Sequence, residues 1–163
     1  MRVKHLPLAI AAAAAMLPAA AAAQSTATVS AANPAGLVQA LKTAGLSPAL
    51  SKDDYGDPMI DFKVAGYDAM LVFYGCDEDT HDGCDSVQLK AGFDRETAWT
   101  AADAMEISKK YRFAAVWIDE EGDPWVQWDI VTGKGIPAQV FLDSVEMFGD
   151  TLADAAEMIF PDE

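Results

Sequence analysis

A turn that occurs twice constrains this chain more than any other feature. Asp53-Asp54-Tyr55-Gly56-Asp57-Pro58-Met59 and Glu120-Glu121-Gly122-Asp123-Pro124-Trp125 each run from an acidic lead-in through Gly-Asp-Pro into strand-forming residues. Glycine accepts a positive φ, aspartate can hydrogen-bond its own backbone, and proline fixes φ where a turn hands over to a strand. Each copy therefore predicts the reversal of a β-hairpin. Neither supplies a nucleophile, a base or a phosphate-binding loop, and no cofactor is called for.

The rest of the chain fits around these two hairpins. Asn33-Pro34 reads as a cap with proline at the first helical position, and Gly45 as the left-handed stop of that first helix. A weak strand leads from Ala49 into the first turn. Ile60, Phe62 and Val64 alternate with Asp61 and Lys63, a half-buried strand. Ala69 to Tyr74 is apolar on both faces, and Val87, Leu89, Ala91 and Phe93 alternate with polar residues. Asp94 is expected to cap a second helix reaching about Lys110, with Ala98, Ala102 and Met105 inward. Arg112 to Asp119 and Trp125 to Val131 flank the second turn as strands. Pro137 opens a last helix whose apolar ridge is Phe141, Val145, Phe148, Leu152, Ala155 and Ile159. The expected fold is α+β, in the order α-β-β-β-β-α-β-β-α, an antiparallel sheet with helices packed on one face.

Arg2 and Lys4, the apolar run Leu6 to Leu17 and the Ala21-Ala22-Ala23 site before Gln24 have the layout of a secretory signal peptide, residues 1–23. The run is too short, and too soon interrupted by Pro18, for a stable membrane anchor. Residues 24–32 are small and polar and are expected to form a disordered leader. Residues 33–163 then make a single domain. Cleavage removes two of eleven basic residues and no acidic one. Nine basic residues then face 26 acidic ones, a balance of −17. Such a surface repels nucleic acid and anionic headgroups. The expected location is outside the cytoplasm, in the periplasm of a two-membrane host.

Cys76 and Cys84 both lie in the exported part, where an even count is read as a disulfide. Between them lies an acidic loop. Asp77, Asp79, His81, Asp82 and Asp85 are the weak candidates for a divalent-cation site, against a plain reading as a solvated hairpin tip. Placing Gly83 at the sixth position of a calcium loop puts Leu89 where a bidentate glutamate belongs, and one histidine is too few for zinc.

Tyr111-Arg112-Phe113 followed by Trp117-Ile118-Asp119-Glu120-Glu121-Gly122-Asp123-Pro124 resembles the YbjN family, labelled as bacterial sensory transduction regulators. Phe73-Tyr74-Gly75-Cys76 and Ala91-Gly92-Phe93-Asp94 are similar to its exported branch. The resemblance covers residues 33–160. It implies a fold like type III secretion chaperones, which hold an unfolded segment of a partner and are commonly dimers. It brings no catalytic residues. Where the family has Trp-Asn before Arg-Phe, this chain has Ile107-Ser108.

Catalysis finds little to work with. His81 is the single histidine after cleavage, and no Gly-x-Ser-x-Gly elbow exists. The expected role is a non-enzymatic, chaperone-like or regulatory module that binds a protein or peptide and that can form a homodimer. A cation-binding envelope protein is the alternative, and an enzyme of unrecognised type a remote one. Trp125 and Trp128 are the weak candidates for partner contact. Their spacing sends them to opposite sides of one strand, one into the core and one onto the exposed sheet face.

Overall fold

A computed structural model describes residues 27–161; the expected signal peptide and residues 24–26 lie outside the described residues. The chain runs β1 (Thr28–Val29), α1 (Pro34–Thr43), β2 (Ala49–Lys52), β3 (Pro58–Val64), β4 (Tyr67–Tyr74) and β5 (Ser86–Gly92). It continues through α2 (Ala101–Lys110), β6 (Ala115–Ile118), β7 (Pro124–Val131), β8 (Ile136–Pro137) and α3 (Ala138–Ile159). Six strands form one antiparallel sheet in the order β2-β3-β4-β5-β7-β6, with the helices on one side. The α+β class and the expected order of helices and sheet strands hold.

Both Gly-Asp-Pro segments reverse the chain by the same hydrogen bonds. Asp53 N–H donates to the Asp57 carbonyl, and Asp119 N–H to that of Asp123. The Asp53 carboxylate accepts from the backbone of Tyr55 and Asp57, and that of Asp119 from Glu121 and Asp123, all at 2.9–3.0 Å. Gly56 and Gly122 close the turns at φ 97° and 92°. The first acidic residue of each segment is therefore the organiser: its side chain satisfies backbone donors that a tight turn leaves free.

Side-chain alternation splits the sheet cleanly. Ile60, Phe62, Leu71, Phe73, Val87, Leu89, Val126 and Trp128 are buried on the helix side. Every residue of the expected α3 ridge is buried with them, and Asp143, Glu146, Asp150, Asp154 and Glu157 are exposed on its opposite side. Helix α1 begins and ends as its residues dictate. Asn33 accepts from Gly36 N–H, and Leu46 and Gly45 donate back to Leu41 and Lys42.

Two expectations need correction. The supposed disordered leader is ordered from Ala27 onward: β1 pairs with β8, Val29 and Ala31 are buried, and Ala31 N–H donates to Thr132 Oγ1 at 2.8 Å. Its composition is silent because the partner lies 101 residues away. Asp94 does not cap α2. Thr100 does, in a reciprocal capping box with Asp103. Residues before it are held by the second turn instead, since Asp123 accepts from Arg95 N–H and the Gly122 carbonyl from Trp99 N–H. The buried residues of α2 are Ala104 and Ile107, while Ala98, Ala102 and Met105 are exposed.

Cys76 and Cys84 are joined in a disulfide across the neck of the β4–β5 loop. Closing this short loop limits the unfolded chain, so replacing both cysteines with alanine is expected to cost about 2–3 kcal/mol. Denaturant unfolding of the two forms measures it.

Candidate functional site

The five acidic-loop residues do not converge. The Asp77 carboxylate accepts from the backbone of Asp79 and Thr80 and from the Thr80 hydroxyl, which also donates to Asp82. Those bonds, the Thr80 backbone N–H first, hold the Asp77 carboxyl below its ordinary range. Asp85 accepts from the Ser86 hydroxyl. His81, at φ 58°, sets Nδ1 2.9 Å from Asp57 of the first Gly-Asp-Pro turn. Among the described residues, no group of three or more His, Cys, Asp or Glu side chains could hold a metal ion. The loop is tied down by its own carboxylates.

The other side of the sheet, opposite the helices, carries a different set of side chains. Register places Lys63, Asp68, Gly92, Trp125 and Trp117 in one row across β3, β4, β5, β7 and β6. Met70, Lys90 and Gln127 form the next row. Trp125 lies on this open face and Trp128 is buried, packed on Phe113. The indoles of Trp117 and Trp125 stack with centroids 5.9 Å apart and planes 16° apart. Lys90 Nζ sits 5.6 and 5.4 Å from the two centroids, within cation–π range.

Local features hold this arrangement. A Cβ on Gly92 would come within 2.7 Å of the Trp125 ring, so glycine alone lets the indole lie down on the sheet. Trp125 Nε1–H donates to Asp119 Oδ2 at 2.9 Å. That bond first, then the Asp123 backbone N–H, holds the Asp119 carboxyl below its ordinary range. One carboxylate thus shapes the turn and anchors the ring.

The sign of the pH dependence follows. A lowered folded-state value stabilises the fold above the unfolded value, about pH 4, and the gain is lost as pH falls through the folded value. Stability lost below pH 4 is expected to shrink in Asp119→Asn relative to the parent. Urea melts from neutral pH downward check this.

Next to the indoles, a hydrogen-bonded chain crosses the face. Tyr74 OH donates to Gln88 Oε1 at 3.3 Å, and Gln88 Nε2 donates to Asp129 at 2.8 Å. Partial burial first, then the Asp129 and Asp53 carboxylates, pushes the Tyr74 hydroxyl up, so it remains a donor at neutral pH. An open groove of about 850 Å³ runs beside Trp125, lined in part by Leu46, Ala49, Met70 and Gly92. Lys90 and Trp117 were not among the candidate contact residues. Both sit at outward positions of alternating strands, but what joins them to Trp125 is the strand order β5-β7-β6, which no local pattern encodes.

No curated protein matches the sequence. The profile of a family described as "putative bacterial sensory transduction regulator" matches residues 33–161. With that match covering most of its length, the chain belongs to the YbjN family.

Proposed function

We propose that this protein is an exported, non-enzymatic module, chaperone-like or regulatory, that binds a segment of a protein partner on its open sheet face. The observation that carries the reading is the cluster of Trp117, Trp125 and Lys90 on the sheet face opposite the helices. Tryptophan supplies large contact area, and an aromatic anchor framed by polar groups is the usual make-up of a binding hot spot. Tyr74, Gln88, Asp129 and Gln127 frame it on one side. The cysteines are bonded to each other, and His81 faces Asp57. The family's description as a regulator is compatible with this role.

Affinity capture from envelope extract, with parent and Trp125→Ala proteins as bait, tests the reading. A specific partner is expected, bound at least about 30-fold more weakly by the variant, the loss typical of a hot-spot residue. Equal capture by both proteins, or nothing specific with either, rejects it.

A further inference from the structure

Carboxylates crowd the open groove beside Trp125. Asp61, Asp68, Asp94, Asp119 and Asp123 line it, against one basic residue, Lys63. Strand alternation gathers them. Asp94 lies two residues beyond Gly92, Asp123 two before Trp125 and Asp119 two beyond Trp117, so the ends of β5, β7 and β6 each bring one carboxylate to the same side. Lys63 and Asp68 are cross-strand neighbours paired at 2.6 Å, which leaves the groove's own cation already matched. Asp119 and Asp123 are committed in part to the second turn, through Trp125 Nε1–H and Arg95 N–H. Asp61 and Asp94 are exposed, and Asp61 has one oxygen on the Ser51 hydroxyl. Between the carboxylates the lining is small or apolar: Ala49, Met70, Gly92 and the Trp125 indole.

Charge and shape together select the occupant. A metal ion fits poorly, because among the described residues no group of three or more His, Cys, Asp or Glu side chains could hold one. Negative charge spread along a groove suits a cation of several centres carried on a chain. The groove crosses β3, β4, β5 and β7, a width of about 14 Å, which about four extended residues span. A chain laid this way crosses the strands and does not extend the sheet. Trp125 offers its cation an aromatic surface, and the ring already draws Lys90 Nζ to 5.4 Å from its centroid. Arginine matches both features, since its planar guanidinium stacks on indole and presents paired N–H donors to carboxylates. The net charge of −15 draws such a segment in from a distance.

We propose that this groove receives a short basic segment of the protein partner, extended across β3, β4, β5 and β7, with an arginine against Trp125 and Asp61 and Asp94 as its main charge contacts. The proposal rests on the binding role above and gives the partner its chemistry. Apolar side chains of the segment meet Ala49 and Met70, and its cations meet the rim.

The test is a fluorescence-anisotropy titration of the protein purified from the envelope of an expressing host. The probes are a labelled peptide alternating leucine with arginine and its counterparts with serine or glutamate. The arginine peptide is expected to bind at least about tenfold more tightly than the serine peptide, and to weaken as salt rises. Asp61→Asn combined with Asp94→Asn should weaken it about tenfold or more. Asp143→Asn combined with Glu146→Gln removes the same charge from the outer side of α3 and should change binding by less than about twofold. An arginine peptide that does not bind, or binds no better than the serine peptide, overturns the proposal. So does equal loss in the two double variants, because net charge alone then attracts the peptide. The binding role fails separately. A captured partner that needs Trp125 but ignores the Asp61 and Asp94 changes discards the basic segment and keeps the role, whereas no specific partner at all rejects both.

Discussion

Gly122→Ala is expected to destabilise the protein by roughly 3 kcal/mol or more, a large share of the 5–15 kcal/mol that holds a domain of this size. Two costs add. The residue sits at φ 92°, where an L side chain is strained, and its new Cβ would collide with the Cβ of Ala98 and lie 2.8 Å from the Ala98 Cα. Ala98 cannot step aside, since its segment is pinned by Arg95 to Asp123 and by Trp99 to Gly122. The equivalent change in the other turn, Gly56→Ala, should cost less, about 1–2 kcal/mol. There φ is just as strained at 97°, but the nearest atoms, at 3.1 Å, belong to the His81 ring, which can rotate away. Chemical denaturation of the two variants gives the ranking. Equal losses would mean that the loop before α2 does not lean on the second turn.

Phe148→Ala is expected to remove about 3–5 kcal/mol, a large share of the stability of a domain of this size. Phe148 is fully buried on α3, between the turns carrying Val145 and Leu152. The helix holds the inner side of the sheet, and the next residue shows how closely. A Cβ at Gly149 would come within 2.7 Å of Val64 Cγ2 on β3. The cavity left by alanine cannot close by moving the helix inward, because Gly149 is already in contact. A calorimetric melt measures the loss. A shift of only a degree or two would show that α3 is not the clamp of this fold.

These elements also mark how far the sequence could be read. The α3 ridge and the alternation along β3 and β5 are periodic, so burial follows from spacing alone. The same period set Trp125 and Trp128 on opposite sides of β7, and the fold decides that Trp128 is the buried one. The twin turns were legible because Gly-Asp-Pro carries its own chemistry, although the organising bonds come from the preceding Asp53 and Asp119. What failed was non-local. Asp94 looked like a helix cap because nothing nearby showed that Arg95 and Trp99 bond to a turn more than twenty residues on. Thr28 and Val29 looked like a bare leader because their strand partner is β8. The acidic loop shows the same limit: composition placed five candidate ligands in one segment, but which donors its side chains meet is local geometry, with Asp77 and Asp82 accepting from Thr80, Asp85 from Ser86, and His81 lying against Asp57.

The claim at the centre of the account is that contact with partners occurs on the open sheet face. A photo-crosslinking residue placed at Gln127 on that face, and separately at Glu146 on the exposed side of α3, tests it in living cells. The account predicts adducts with a second protein from position 127 that disappear in Trp125→Ala, and none from position 146. Adducts from 146 alone, or from both positions alike, would contradict it.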